Sequence, residues 1–185
     1  MEELYNFWFS DKQEYKKYWF DKSIDDEIKT KYLGMYKLAE SNKLNEWVNI
    51  NYKHHLILII LLDQFSRNLK RCDIEIDESV NLVACHLAHL YYYRFINITD
   101  YQNSNIYELI FALMPMRHTR DYNTTKDLIN ILYKYRQDNK DNQTWAKFQK
   151  QNIISLCQIN NVKEIKPIIL IEPLYNESNK NIFDT

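Results

Sequence analysis

The side chains with the clearest chemical capacity follow directly on the most apolar run of the chain. Residues 56–62 read LILIILL, and five polar residues come after them without a turn: Asp63, Gln64, Arg67, Asn68 and Arg71. Two arginines and two amides at the end of a buried helix could hold a carboxylate or a phosphate through paired hydrogen bonds. Alternatively, Asp63 and Arg67, four apart on one helix face, form an internal ion pair, and the amides bond neighbouring loops. The sequence predicts a polar cluster against the core and leaves both interpretations open.

The second candidate site is the later segment PMRHTRD, which contains His118. Histidine suits acid–base catalysis near neutral pH, and Arg117 beside it adds an anion-binding group. Pro115 is expected to end the preceding helix, which would place His118 on a link between helices. The alternative is a capping segment in which Thr119 or Asp121 begins the next helix.

An enzymatic interpretation combines the two segments. His118 would be the acid or base, Asp63 would orient an arginine, and Arg67, Arg71 and Arg117 would hold an anionic substrate, with no cofactor implied. The sequence contains no nucleophile–base motif and no glycine-rich phosphate loop. It therefore favours the competing interpretation, a helical binding module for a protein or peptide.

The cysteines and histidines do not form a metal-binding pattern. Cys85 and His89 are four apart, with His86 between them, but no second pair with zinc-type spacing is present. We expect no metal and no cofactor. Cys72, Cys85 and Cys157 are an odd number without framework spacing, which indicates reduced thiols in a cytoplasmic protein.

Composition limits the class of partner. The 24 basic and 25 acidic residues nearly cancel, which argues against a general nucleic-acid binder. The first residues, MEELYNFWFS, carry acids where a secretion signal needs bases, and LILIILL is too short to span a bilayer, so we expect no membrane association. Abundant Asn, Ile, Lys and Tyr indicate an A/T-rich genome rather than a tyrosine-based binding surface.

These candidate groups must be positioned by helices. The chain has one glycine and three prolines, whereas sheets and hairpins depend on glycine for their turns. Apolar residues recur at helical spacing nearly throughout. We predict an all-α fold, a stack of antiparallel helical hairpins forming one domain over residues 1–164. The segment 165–185, with an apolar run between two prolines, is predicted to be an extended or partly disordered tail.

The segment LILIILLDQFSRN resembles the signature of the family catalogued as domain of unknown function 924, whose usual form is close to LAxxxLLDQFPRN. Further matching pieces occur in the family's order over roughly residues 4–135: FWF at 7–9, WF at 19–20, Asp25, Ile28, Ala39, Trp47, Asp77 and LMPMRHT at 113–119. The resemblance implies an all-α fold similar to tetratricopeptide hairpins and implies no established activity.

The chain also departs from the family pattern. Ser66 replaces the usual proline, and Thr119 and Arg120 stand where the family has Ser and Glu, with Asp121 as a substitute acid. The family's late Gly-Arg-Phe-Pro-His-Arg-Asn element has no counterpart after residue 140. If that element completes a family active site, this chain is a rebuilt binding module rather than a working enzyme.

Overall fold

The computed structural model describes residues 1–9, 17–20, 22–96, 105–134 and 143–159, and none of these lies in a strand. The predicted all-α class is confirmed for them. The helices are α1 (Glu2–Trp8), α2 (Asp25–Glu40), α3 (Trp47–Ile50), α4 (Tyr52–Ile60), α5 (Ser66–Arg71), α6 (Val80–Tyr91), α7 (Ile106–His118), α8 (Tyr122–Lys134) and α9 (Gln143–Ile159). A 3₁₀ turn covers Lys17–Phe20, and π turns cover Leu61–Phe65 and Tyr92–Ile96.

The chain forms two compact units, Met1–Pro115 and Met116–Thr185. The predicted tail, 165–185, lies outside the described residues, so its boundary stays a prediction. Among the helices that the structure describes, none is long and apolar enough to cross a membrane.

The first unit is built around one long helix, here called the central helix, formed by α4, a π turn and α5 over residues 52–71. It is apolar on every side over residues 56–62, and all seven side chains are buried. A helix without a polar face must be surrounded by other helices. Accordingly, α4 packs against α6, and α2 packs against the π turn and α5.

The π turn interrupts the central helix where the apolar run meets the polar cluster. The Ser66 N–H donates to the Leu61 carbonyl five residues earlier, instead of four. The Ser66 hydroxyl donates to the Asp63 carbonyl at 2.9 Å. A π turn inserts one extra residue into a helix and rotates the turns after it, and such turns are frequent at functional sites. Asp63 and Gln64 lie inside this turn.

Aromatic side chains fill the space between α1, the central helix and α7. The Trp8 ring lies edge-on to Phe65 and to Phe111, with ring centroids 5.4 Å apart in both pairs. The Trp19 Nε1–H donates to the Trp8 carbonyl at 2.9 Å. Both tryptophans are buried, so they serve the core rather than a binding surface.

In the second unit, α8 packs against α9 around Ile129, Tyr133 and Ile153. Both the Trp145 Nε1–H and the Gln149 side-chain amide donate to the carbonyl of Leu132, at 3.3 and 2.8 Å. These two bonds anchor the last turn of α8, whose carbonyls lack helical partners.

The prediction that Pro115 ends its helix is wrong, because α7 continues through Pro115 to His118. Proline lacks the N–H that would bond to the Phe111 carbonyl, and its ring strains the preceding turn. The neighbouring side chains of Met114 and Met116 are buried, and their packing offsets that cost. His118 is therefore the last residue of a helix and not part of a link.

Candidate functional site

Two residues of the predicted cluster, Asn68 and Arg71, are bonded to Asp25, the first residue of α2. Arg71 donates from Nε to Asp25 Oδ2 at 2.7 Å and from Nη2 to Oδ1 at 2.6 Å. Asn68 Nδ2 donates to Asp25 Oδ1 at 2.8 Å. Asp25 is buried, and burying a carboxylate is costly unless such donors bond it. This ion pair ties α5 to α2 and favours the structural interpretation for Asn68 and Arg71.

Asp63 and Gln64 form a second polar group inside the π turn. Asp63 is 1% exposed, and Gln64 Nε2 donates to its Oδ2 at 2.5 Å. The same Nε2 lies 3.4 Å from the sulfur of Met114 on α7. Arg67 Nη2 lies 3.4 Å from Asp63 Oδ1, so the expected pair at four-residue spacing exists but is long.

Arg67 keeps the most hydrogen-bonding capacity within the cluster. Its Nη2 also lies 3.4 Å from Asn81 Oδ1 on α6, again longer than a well-formed bond. Its Nε is buried and has no hydrogen-bond partner among the described residues. The side chain is 39% exposed. Arg67 is thus the arginine of this cluster whose hydrogen bonds are least complete.

The candidates Arg117 and His118 belong to the second unit. Arg117 Nη1 donates to Gln151 Oε1 on α9 at 3.2 Å, and burial lowers the pKa of its guanidinium. His118 is half-buried at the end of α7. The enzymatic combination of these residues with Asp63, Arg67 and Arg71 involves both units and stays a prediction.

The segment after His118 begins α8 in the way that the capping alternative expected. Asp121 Oδ2 accepts a hydrogen bond from the Thr124 N–H at 2.8 Å, and this bond lowers the pKa of the Asp121 carboxyl. Thr119 Oγ1 donates to the Met116 carbonyl at 2.9 Å. Arg120 has φ 54, the left-handed conformation that ends many helices.

The solvent side of α6 is a further feature. Residues 80–93 contain no Asp, Glu, Lys or Arg, although the solvent side of a surface helix is normally charged. Leu82 is 68% exposed, Val83 40% and Tyr93 58%. We call Leu82, Val83, His86 and Leu90, together with Tyr93 of the following π turn, the α6 face. Its lack of charge is readable from the sequence, but which side chains reach solvent is not.

His55 lies on α4, which packs against α6, and it is fully buried. Its Nε2 lies 3.0 Å from the Leu87 carbonyl, and its Nδ1 has no hydrogen-bond partner within the described ranges. Burial lowers the pKa of His55 to about 4, although the Leu87 carbonyl opposes the shift and Arg94 adds to it. The imidazole is therefore neutral and donates from Nε2.

A buried carboxylate that the sequence did not suggest, Glu108 on α7, accepts a hydrogen bond from the Tyr5 hydroxyl. The Lys53 ammonium lies 4.3 Å from the centre of the Tyr5 ring. Periodicity places Glu108 beside apolar neighbours, but its partner is distant in the chain and therefore cannot be read from spacing.

The cysteines are free thiols, with Cys85 buried and Cys72 and Cys157 half-buried. His86 is exposed and His89 half-buried. Within the described part of the chain, no three His, Cys, Asp or Glu side chains are grouped so that they could hold a metal ion.

The family model described as "Bacterial protein of unknown function (DUF924)" matches residues 4–160. No curated protein matches the chain, and no solved structure matches it. The resemblance inferred from LILIILLDQFSRN is thereby confirmed, and the match extends beyond residue 135, where the resemblance was expected to end. The matched residues include the central helix, the α6 face and both candidate segments.

Proposed function

The chain belongs to the DUF924 family, and we propose that it is a helical binding module that contacts its partner through the α6 face. The observation that carries this proposal is the uncharged, solvent-exposed side of α6. Leu82 and Val83 on α6 and Tyr93 in the π turn after it are exposed, and residues 80–93 include no charged side chain, so apolar surface is left in water. Such surfaces are characteristic of protein interaction sites.

The arrangement of the helices supports the same proposal. In the first unit, α2 packs against α5 and α6 packs against α4, so both contact the central helix. We infer that they form stacked antiparallel hairpins similar to tetratricopeptide repeats. Such stacks hold a side of each helix toward solvent on a rigid scaffold, which reduces the entropy lost on binding.

The energetic gain would come mainly from the apolar side chains. Covering apolar surface contributes roughly 2.5 kcal/mol per 100 Å² removed from water. The most exposed of them, Leu82, would contribute the most. Tyr93 adds a hydroxyl that can hydrogen-bond at the edge of an otherwise apolar contact.

Site-specific photo-crosslinking tests this proposal. A photoreactive phenylalanine analogue at Leu82 should give discrete adducts in cells, and adding Val83→Glu should abolish them. The matched control is the same analogue at Leu38, an exposed leucine on α2. Identical adduct patterns at the two positions, insensitive to Val83→Glu, would contradict a binding role for the α6 face.

A second candidate function is the binding of a small anion at Arg67. The buried Nε without a partner among the described residues and the two long Nη2 contacts favour it, because a carboxylate or phosphate could bond the guanidinium without breaking a strong pair. Arg71 could join such a site only if it left Asp25, to which it gives two short hydrogen bonds.

A thermal-shift panel of nucleotides, phosphorylated metabolites and carboxylates tests this candidate. A ligand at a hundred times its Kd stabilises by about 2.7 kcal/mol, or roughly 5–10 °C in Tm for a chain of this size. We expect Arg67→Ala to abolish the shift and Lys70→Ala, an exposed neighbour, to retain it. A shift that persists in Arg67→Ala would place the ligand elsewhere.

A further inference from the structure

We propose that the partner of the α6 face is a second copy of this chain, packed antiparallel about a two-fold axis that passes by His86. The inference rests on the proposed function, because it uses the same face. Its basis is the order of charged and apolar residues along α6 and its flanks.

Two residues of this face, Leu82 and Leu90, are placed symmetrically about His86. In an antiparallel pair of identical helices, a residue that precedes the axis contacts the residue that follows the axis by the same number of positions in the other copy. Leu82 precedes His86 by four positions and Leu90 follows it by four, so leucine meets leucine twice. Leu82, His86 and Leu90 follow one another at intervals of four along α6, which keeps them on one side of the helix.

Opposite charges flank α6: Glu78 lies in the turn before the helix, and Arg94 lies in the π turn after it. Glu78 precedes His86 by eight positions and Arg94 follows it by eight, and both are exposed. An antiparallel copy brings each Glu78 toward the Arg94 of the other copy, whereas a parallel copy would bring like charges together. Between them lies an uncharged stretch, which contains nothing that would repel a copy of itself.

The contacts of these two charges within one chain leave them available. Glu78 is bonded to Lys70 at 3.1 Å, but the Glu78 side chain is 83% exposed and that of Lys70 63%, so the pair is readily exchanged. Arg94 uses Nη1 for the Val48 carbonyl at 2.9 Å and for Asn49 Oδ1 at 3.0 Å. Those bonds hold the guanidinium in place at the end of the face. Exposed pairs contribute little affinity, but they select the orientation.

Other partners fit this face less well. A membrane-surface helix carries lysines and arginines along its polar side, and a nucleic-acid contact needs several basic groups. The residues from Val80 to Tyr93 supply neither. An uncharged centre with an acid at one end and a base at the other is complementary to a second, antiparallel copy of the same surface.

Disulfide trapping of the full-length chain tests the geometry. His86→Cys places a thiol beside the axis, so mild oxidation should convert the protein to a covalent dimer at least ten times faster than it converts Leu38→Cys. The wild-type chain measures the background from Cys72, Cys85 and Cys157. Equal rates for the two variants would overturn the proposed axis.

Sedimentation velocity tests the interface itself. We expect a concentration-dependent dimer for the wild type, a monomer for Leu82→Glu with unchanged circular dichroism, and a weakened dimer for Glu78→Lys. Adding Arg94→Glu to Glu78→Lys should give a tighter dimer than Glu78→Lys alone, which misfolding could not mimic. A wild-type chain that is monomeric at about 100 µM would overturn the inference, because the dimer would then be weaker than a typical specific contact.

The two proposals fail in distinguishable ways. A monomeric wild type that still crosslinks from position 82 to a different protein overturns the second copy and leaves the binding module standing. A monomer without any adduct at position 82 removes both. A dimer that His86→Cys traps, with adducts of twice the chain mass at position 82, supports both.

Discussion

Polar side chains at the end of the central helix differ in how completely their hydrogen bonds are made. Arg71 gives Asp25 two short bonds, at 2.6 and 2.7 Å, and Asn68 adds a third. Arg67 touches Asp63 and Asn81 only at 3.4 Å. Residues of the same type four positions apart therefore differ: Arg71 braces α2, and Arg67 retains unused hydrogen-bonding capacity.

Substitution by alanine should separate these roles. Arg71→Ala leaves the buried Asp25 carboxylate with Asn68 alone, and we expect the free energy of unfolding to fall by about 2 kcal/mol. The guanidinium is partly exposed, so the loss is smaller than for a fully buried pair. Arg67→Ala should cost less than about 1 kcal/mol, since its contacts are long. Urea unfolding of both variants gives the comparison, and equal losses would refute the assignment.

His55 should make stability depend on pH in a defined window. The unfolded chain takes up a proton near pH 6.5, but burial lowers the pKa of His55 in the folded chain to about 4. The unfolded state therefore binds more protons between these values, and stability falls as the pH is lowered from 6.5 to 4. Over that window the contribution of His55 is at most about 3 kcal/mol.

The variant His55→Phe isolates this contribution. It keeps a ring beside Tyr91 and Phe95 but cannot be protonated. On going from pH 7 to pH 4.5, we expect the unfolding free energy of the wild type to fall relative to that of the variant. A difference that stays constant over this range would show that His55 does not titrate with a lowered pKa.

At the scale of elements, two irregularities occur where a helix is held by burial rather than by its own propensity. The π turn at Leu61–Phe65 lies in fully surrounded sequence, and Pro115 lies between buried methionines. Tertiary packing compensates a missing or displaced backbone bond at such positions. At an exposed helical position no tertiary packing compensates, so the helix propensity of the residue should directly affect the free energy of unfolding.

Gly34, inside α2, is such a position. It is exposed, and a Cβ placed there would meet no atom within 4 Å. Gly34→Ala should raise the free energy of unfolding by about 0.5–1 kcal/mol, because alanine loses less backbone entropy in a helix. Chemical denaturation measures it, with the reverse change Ala39→Gly at a buried position of the same helix as the destabilising control. A neutral or destabilising Gly34→Ala would contradict it.

At the scale of the whole molecule, the net charge of −1 gives the chain no overall electrostatic attraction for polyanions such as nucleic acid. Arginines of the central helix are close to carboxylates: Arg71 is paired with Asp25, and Arg67 faces Asp63. Local neutralisation of this kind leaves little positive field to attract phosphate chains.

We therefore expect weak binding of nucleic acid. A single-stranded RNA probe should bind with a Kd no lower than about 100 µM at physiological salt. Fluorescence anisotropy at two salt concentrations is the measurement. Micromolar affinity that falls steeply with added salt would reverse this expectation and assign the arginines to phosphate contacts.

Much of the fold and part of the candidate site could be predicted from residue types and spacing. One glycine and recurring helical periodicity indicated an all-α chain, and LILIILL indicated a surrounded helix, because an apolar run without a polar side has to be buried. The pair Asp63–Arg67 followed from four-residue spacing. The prediction that α7 ends at Pro115 was wrong, because the sequence does not reveal how well the side chains beside the proline are packed.

The chain by itself determined its helical class, its family and the position of its polar cluster, since these depend on local order and on short spacings. Only the tertiary structure decided that Arg71 belongs to Asp25 while Arg67 keeps a buried Nε without a partner among the described residues. It also decided that the uncharged side of α6 faces solvent. The physical reason is the same in each case: hydrogen-bond satisfaction and exposure depend on residues that are distant in sequence and adjacent in space.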